Sequence, residues 1–292
     1  IYAMGMGCPV EEVQDRWAQA IANPIPPNEI SSEEAPCHEV IIEGDELDKP
    51  GNALDAIPVP ISTPGWDVGP VATLTQYVTR DPDTGLTNMG NYRAQIKAPR
   101  RMGMNPSLEL RPGIYVHWEK MKKRGEKLPA AVVLGAPSCV TFTAAQKLPE
   151  NLEEITVAGG LVGSPINVVK ARTVDLMVPA EAEIVVEGYI NTEMLEPEAP
   201  FGESHGHVNL QEFNAYMDVT CITRRSKPIM TSIISQVTPS ESSCIKQVAY
   251  ETIFMNHMRD ALGIKGVQRV ALHEPLTNIR KLVVLVCDRD MP

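Results

Sequence analysis

The sequence predicts an α+β fold in which many short strands form a β-barrel or sandwich that carries a few helices. Two observations predict it. Short runs of β-branched and apolar residues recur along the 292-residue chain, and its 25 prolines fall between these runs, where they stiffen the connections. Only one long helical pattern, Ile114 to Arg124, interrupts the strands. The length suffices for two domains, or for one large domain with an appendage.

The chain begins with an amphipathic helix over residues 10–22, whose apolar face includes Val13 and Trp17. Asn23-Pro24 ends this helix, because proline cannot continue it. Residues 24–60 are rich in proline and acidic residues, and they predict a linker with one short strand, Glu39–Glu43.

Short strands dominate the rest of the chain. We expect them at Val71–Thr79, Gly90–Ile96, Ala130–Gly135, Ile166–Ala171, Glu183–Ile190, Tyr216–Thr223 and Ile229–Ser235. A helix from Ser242 to Leu262 and a strand at Lys281–Val286 then begin a βα-type unit.

Composition excludes several classes of function. The net charge of −11 argues against nucleic-acid binding, which requires clustered Lys and Arg. The chain has no apolar run of bilayer length and no signal-like start, so we expect a cytoplasmic protein that does not enter the membrane. Six cysteines without a CxxC pair predict reduced, mostly buried thiols rather than a zinc site.

The stretch Glu196–His207 crowds carboxylates and imidazoles onto a segment that prolines keep from forming a helix. It follows a predicted strand, so a stiff turn presents Glu198 and Glu203 at the strand end. Two carboxylates held close in a partly dry cleft push their pKa values apart, and one can then stay protonated near neutral pH and act as an acid. The simpler alternative is a solvated acidic loop.

Three other segments carry candidate chemistry. Asn88 lies at a turn-to-strand boundary, where its amide oxygen can face a cation, and Arg93 suits bidentate binding of a carboxylate or phosphate. The alternative for Arg93 is a surface salt bridge. The small residues of Gly135–Thr143 could let backbone amides approach a phosphate, although no P-loop spacing is present. Glu153-Glu154 is typical of a helix N-terminal turn.

Five motifs in one order closely resemble the UbiD family of reversible decarboxylases, which use prenylated FMN. The motifs are Asn-x-Gly-x-Tyr-Arg from residue 88, a Gly-x-Pro loop, Leu-Pro-Glu-x-x-Glu-Glu, Val-Asp-Leu-x-Val-Pro-Ala-x-Ala-Glu-Ile-Val-x-Glu-Gly, and Pro-Glu-x-Pro-Phe-Gly-Glu. The resemblance is densest from Thr63 to Ser240. It implies a central split β-barrel flavin-binding domain with partial flanking α/β domains.

The resemblance also implies roles for individual residues. Asn88 and Glu154 would help bind a divalent metal, usually manganese, that bridges to the cofactor phosphate. Asn91, Tyr92 and Arg93 would line the prenylated flavin. Arg93, Glu198 and Glu203 would form the Glu-Arg-Glu catalytic set, in which Glu203 protonates the carbon that has lost CO2.

The resemblance further implies a potassium ion among the cofactors, a small carboxylic acid and CO2 as substrate and product, a flavin prenyltransferase as cofactor supplier, and a homo-oligomer. Family members often have a histidine ligand at a place that corresponds here to the region of Gly113. His117 lies one helical turn further along and is either a substitute ligand or a structural residue.

The resemblance divides the chain into three parts. Residues 1–48 would be the end of an N-terminal domain and a linker, 49–238 the flavin-binding split barrel, and 239–292 the start of a truncated C-terminal α/β domain. Two alternatives to a decarboxylase remain. One is a non-catalytic or partial subunit of a multi-chain carboxylase, and the other is a metal-dependent hydrolase built on His205, His207 and the glutamates.

Overall fold

The computed structural model describes residues 2–106, 111–149, 151–198, 200–203, 206–234, 236, 240–272 and 283–290. The helices are α1 (Tyr2–Met6), α2 (Val13–Ala22), α3 (Gly113–Arg124), α4 (Ser138–Ala144), α5 (Glu154–Val162) and α6 (Glu241–Asn256). The strands are β1 (Asn28–Glu29), β2 (Val40–Glu43), β3 (Val71–Ala72), β4 (Thr75–Arg80), β5 (Thr87–Asn91), β6 (Ala94–Ala98), β7 (Arg101–Gly103), β8 (Leu128–Leu134), β9 (Asn167–Lys170), β10 (Met177–Pro179), β11 (Ile184–Ile190), β12 (Glu196–Glu198), β13 (Phe201–Gly202), β14 (Val208–Asn209), β15 (Glu212–Asn214), β16 (Tyr216–Arg224), β17 (Val267–Leu272) and β18 (Val283–Cys287).

The central sheet has nine strands in the order β3-β6-β7-β16-β11-β8-β4-β5, with β2 added on β16. Two residues connect β3 to β4, and two connect β5 to β6, although each connection joins opposite ends of this order. Two residues span only about 10 Å at full extension, so the ends of the sheet must meet. The sheet therefore curls into a barrel that is split along one line, which we call the seam.

The β4–β5 ladder extends by one residue pair beyond Asn91. The Tyr92 N–H donates to the Thr75 carbonyl oxygen at 3.2 Å, and the Thr75 hydroxyl donates back to the Tyr92 carbonyl oxygen. These bonds fix the chain on the β5 side of the seam immediately before Arg93.

Both faces of the central strands are buried, which explains their near-continuous apolar sequences. Alternate side chains enter different cores: Tyr77 and Val132 pack in one, and their neighbours Val78 and Val133 pack in the other. The first core fills the barrel. The second lies between the barrel wall and the helices, where Trp17, on α2, packs together with Phe142 and Val157. The α+β prediction with a curled half-barrel sheet is confirmed.

Several predicted boundaries were wrong. The strand expected over residues 71–79 is interrupted at Thr73-Leu74, and the one expected over residues 90–96 is interrupted at Tyr92-Arg93, because the chain crosses the seam at both places. Residues 135–143 are not a loop throughout, since α4 begins at Ser138. Helix α5 begins at Glu154, with Glu153 before it, as the acidic pair predicts.

Other differences lie nearer the chain ends. Residues 229–234 are not a strand, because the Thr73 side chain bonds Ile233 where a partner strand would be needed, and Ser235 is outside the described residues. Val10 is exposed in a 3-10 turn before α2. Strand β18 is antiparallel to β17, while Lys281 and Leu282, the start of its expected range, are outside the described residues. Within the described ranges, none of the helices combines the length and apolar composition that a bilayer span requires.

Candidate active site at the seam of the barrel

Arg93 lies at the seam, between β5 and β6. The ladder of β5 with β4 is regular up to Asn91, so the break after it, and not a bulge at Gly90, reorients the chain. The Arg93 side chain is 9% exposed, and its guanidinium carbon lies 4.6 Å from the centre of the Phe201 ring. Arg93 is therefore a buried cation and not the surface salt bridge that was its alternative.

A hairpin that extends from β11 and β16 carries both candidate glutamates. Strand β12, which holds Glu198, pairs with β15, and β13 pairs with β14 in the same register. Near the tip, the Glu203 N–H donates to the His207 carbonyl oxygen at 2.8 Å. Gly206 adopts φ +83°, a left-handed conformation that glycine accepts without strain. The stiff turn expected from the sequence is this hairpin.

The hairpin brings both carboxylates to Arg93. Its Nε and Nη2 donate to the two oxygens of Glu198, each at 2.8 Å, and its Nη1 donates to Glu203 Oε1. Glu198 and Glu203 are five residues apart, a spacing that would place them on opposite faces of an unbroken strand. Both nevertheless reach one guanidinium, Glu198 from β12 and Glu203 from the residue that follows β13.

The two carboxylates have different environments. Glu198 is 1% exposed, and it accepts a further hydrogen bond from Asn105 Nδ2 at 3.1 Å. The Glu203 side chain is 25% exposed. One positive charge is shared by two carboxylates, of which Glu198 is held through both oxygens and Glu203 through one.

The metal residues expected from the resemblance lie at the β5 edge. Asn88 Nδ2 is buried, and the Asn88 side chain interacts with the Tyr92 hydroxyl. The amide lies against the first residue of α3, because a methyl group on Gly113 would overlap it. Asn88 therefore faces a helix N-terminus, which favours anions such as a phosphate group.

Glu154 is buried beside the same strand. Its Oε2 accepts the Met89 N–H at 2.8 Å, and burial raises its pKa to about 7. Burial also raises the pKa of the Tyr92 hydroxyl, and the charge of Glu154 raises it further. A buried carboxylate of this kind suits a cation, and in the described part of the chain no salt bridge supplies one.

His117 is buried on α3. Its Nδ1 is 2.9 Å from Thr79 Oγ1, its Nε2 is 3.9 Å from Asp81 Oδ2, and burial lowers its pKa to about 4. Thr79 is the register partner of Asn88, so His117 lies close to the candidate metal residues. Among the described residues, no three His, Cys, Asp or Glu side chains are grouped to hold a metal by themselves.

Asn91 accepts a hydrogen bond from Gln76 Nε2 at 3.0 Å, and so it lies at the barrel wall beside the seam. His205 lies outside the described residues, and His207 is exposed. Sequence reasoning missed Asn105 and Lys97, which contact Glu198 and its neighbour Pro197. No local pattern identifies these two residues, since their contacts cross about 100 positions.

Comparison with known proteins identifies a family and several relatives that this chain resembles. A model of the UbiD family, described as the 3-octaprenyl-4-hydroxybenzoate carboxy-lyase Rift-related domain, matches residues 28–237. The uncharacterized protein sll0936 of Synechocystis sp. (strain ATCC 27184 / PCC 6803 / Kazusa) is 33% identical over 228 residues, which are 78% of this chain and 44% of that protein.

Two solved enzymes have the same fold. The UbiD-class enzyme HmfF from Pelotomaculum thermopropionicum, in complex with FMN, is 30% identical with a TM-score of 0.84, over 93% of this chain and 58% of HmfF. An evolved dimeric HmfF in complex with prFMN is 29% identical, with a TM-score of 0.83. The closed form of vanillic acid decarboxylase from Sedimentibacter hydroxybenzoicus is 25% identical with a TM-score of 0.86, over 99% of this chain and 60% of that one.

The chain therefore spans between 44% and 61% of the length of these relatives. The family model covers most of this chain, including the Arg93 seam and the hairpin that carries Glu198 and Glu203. The chain belongs to the UbiD family.

Proposed function

We propose that this chain is the flavin-binding part of a decarboxylase that uses prenylated FMN and acts on an aromatic or α,β-unsaturated carboxylic acid. The observation that carries the proposal is the single buried guanidinium of Arg93 shared by Glu198 and Glu203. HmfF has been solved with FMN and with prFMN, and its likeness to this chain supports the choice of cofactor. The direction of the reaction depends on the concentration of CO2.

The residues at the seam fit such a cofactor. The α3 N-terminus beside Asn88 suits a phosphate, and the buried Glu154 carboxylate with the Asn88 amide suits a divalent cation such as Mn2+. His117 is a further candidate ligand because its imidazole is neutral. Asn91, Tyr92 and Arg93 would line the flavin. A potassium ion remains part of the proposal through the resemblance alone.

Each residue of the catalytic set has a separate task. When bound, prenylated FMN supplies the electron sink that holds the electrons left when CO2 departs. Glu198 fixes the orientation of Arg93 through two hydrogen bonds, and Arg93 positions the substrate carboxylate. Glu203, the less buried carboxyl, then donates a proton to the carbon that has lost CO2.

The test is to produce the full protein with and without a coexpressed flavin prenyltransferase. We expect the coexpressed protein to be yellow with an absorbance unlike that of FMN, and to release CO2 from a member of a panel of phenolic, cinnamic-type and heteroaromatic acids. A colourless protein that neither binds FMN in a fluorescence titration nor releases CO2 would overturn the proposal.

A partial subunit is the second candidate, since the chain spans 44% of sll0936. Gel filtration, followed by reconstitution with a second chain, separates it from a homo-oligomeric enzyme. A hydrolase built on His205 and His207 is disfavoured, because both glutamates are committed to Arg93. It predicts that His205→Ala abolishes metal binding and that Asn88→Ala does not.

A further inference from the structure

The strand that carries Glu198 has no backbone ladder to the strand that follows Arg93. In the described part of the chain, β12 pairs with β15 alone, whereas β6 pairs with β3 and β7. Side chains must therefore set the distance between Glu198 and Arg93, because no β-ladder does so.

Three basic residues spaced four apart make these contacts. Arg93 binds the Glu198 carboxylate, Lys97 donates to the Pro197 carbonyl oxygen, and Arg101 lies 2.7 Å from Glu196. Arg93 and Lys97 have the even spacing that places side chains on one face of a strand. The three residues of β12 are thus contacted in turn. Glu198 contacts Arg93, which immediately precedes β6, Pro197 contacts Lys97 on β6, and Glu196 contacts Arg101 on β7.

Lys97 is the more buried of the two outer contacts. Its side chain is 12% exposed, compared with 39% for Arg101. An ion pair as exposed as that of Arg101 with Glu196 contributes little to stability, whereas a hydrogen bond from a mostly buried side chain is more costly to break. Lys97 Nζ also lies 3.8 Å from Glu196 Oε2.

The aliphatic part of the Lys97 side chain packs against Gly103. A Cβ on Gly103 would lie 2.9 Å from Lys97 Cε, closer than real contacts allow. Gly103 is itself fixed, because its carbonyl oxygen accepts the hydroxyl hydrogen of the buried Tyr77 at 3.1 Å. The missing side chain at Gly103 lets the ammonium reach Pro197.

We propose that Lys97 is a positioning residue that fixes the peptide between Pro197 and Glu198, so that Glu198 meets Arg93 with both oxygens. The inference rests on the proposed function only for its effect on turnover. Without this anchor, β12 swings away from β6, Glu198 loses its bidentate contact, and Arg93 is left to pair with Glu203 alone. The guanidinium is then no longer held in one orientation toward the substrate carboxylate.

The test compares Lys97→Met, which keeps the stem and removes the donor, with Lys97→Arg, which restores a donor. Hydrogen–deuterium exchange of a peptide covering residues 193–203 should become about tenfold faster in Lys97→Met and return toward the wild-type rate in Lys97→Arg. Exchange in β8 and β16 should not change. The kcat of decarboxylation should fall in Lys97→Met, with the Kd for FMN unchanged, and be restored in Lys97→Arg.

Gly103→Ala provides a second variant, because its methyl group would press on the end of the Lys97 stem, with the ammonium retained, and would also contact Glu198 Cγ. It should speed exchange in the same peptide. Lys170→Met is the matched control, since Lys170 is 66% exposed and pairs with Asp175 on the surface. It should change neither exchange nor turnover.

Unchanged exchange at residues 193–203 in both Lys97→Met and Gly103→Ala would overturn the inference, and so would faster exchange throughout the molecule without rescue by Lys97→Arg. The exchange measurement needs no cofactor. If the wild-type protein fails to bind FMN while the exchange result holds, the proposed function fails and the anchoring role of Lys97 stands.

Discussion

At the scale of single residues, the site contains fewer basic than acidic groups. Arg93 offers one positive charge to two carboxylates, and Glu198 takes two of its hydrogen bonds together with one from Asn105. Glu203 is bound through one oxygen and is more exposed. The geometry therefore distinguishes a firmly held carboxylate, Glu198, from a less constrained and more exposed one, Glu203.

We predict that Glu203→Gln lowers decarboxylation by on the order of 100-fold or more, because the amide keeps the shape but cannot deliver the proton. Binding of FMN should be nearly unchanged, as measured by fluorescence titration beside the turnover assay. Glu29→Gln, an exposed change on β1 outside the hairpin, is the control and should leave turnover unchanged. Equal turnover in Glu203→Gln and wild type would contradict the role of Glu203.

The order of motifs in the sequence was enough to predict that Arg93, Glu198 and Glu203 belong together, and the structure brings them into contact. Their individual roles stay predictions. Asn105 and Lys97 could not be predicted, because each acts on a residue more than 90 positions away. Such a contact depends on how the hairpin folds over the barrel and leaves no local pattern.

At the scale of elements, the start of α3 is set by what it must accommodate. Gly113 is its first residue, although glycine is a poor helix former. The Asn88 amide occupies the space that a side chain would fill. Glycine lowers the helix propensity at this position, but it allows the Asn88 side chain to approach the N-terminus of α3.

We predict that Gly113→Ala weakens binding of Mn2+ in the presence of FMN by about 10-fold, since it displaces Asn88 and outer contacts of a metal site have effects of this size. Thermal stability should not rise, because the methyl group overlaps the buried Asn88 side chain and Gly113 is the first residue of the helix, where the propensity of alanine counts little. Electron paramagnetic resonance of free Mn2+ measures the first effect, and thermal unfolding measures the second. Lys123→Ala, on the exposed face of α3, is the control. An unchanged Mn2+ affinity would argue against Asn88 as a ligand.

The existence of most elements was predictable, whereas their interruptions were not. Residues 71–79 contain neither proline nor glycine, so their pattern predicts one strand. The interruption at Thr73-Leu74 is imposed by curling of the sheet, which is a tertiary effect. Residues 229–234 show the reverse: an extended apolar pattern is present, but the described part of the chain supplies no partner strand.

At the scale of the whole molecule, burial of histidines links stability to pH. Burial lowers the pKa of His117 to about 4, and it also lowers the pKa of His38. The unfolded chain therefore binds these protons first as pH falls. The stabilising contribution is fully present above about pH 6.5 and is lost as pH falls from there toward 4.

We predict that the metal-free protein loses about 3 kcal/mol of unfolding free energy from His117 between pH 6.5 and 4, at about 1.4 kcal/mol per pKa unit. Urea unfolding at a series of pH values measures it. His117→Gln cannot be protonated, so its free energy should fall less steeply over the same range. Parallel curves for the two proteins would show that His117 is not held neutral by the fold.

The strand order lay beyond what the sequence could predict. Alternating apolar residues indicate which segments are strands and which faces are buried, but β16 pairs with β2, β7 and β11, which come from three distant parts of the chain. The division of residues 1–48, 49–238 and 239–292 into domains likewise stays a prediction.

The seam also orders events during folding. The two-residue links from β3 to β4 and from β5 to β6 join strands that are close in sequence. The strands around Arg93 can therefore pair early at a small entropic cost. Glu198 arrives only after a loop of 105 residues has closed, which is slower. A partly folded molecule therefore has Arg93 in place without Glu198 and Glu203. The proposed catalytic set is complete only after the hairpin that carries β12 to β15 has packed against the barrel.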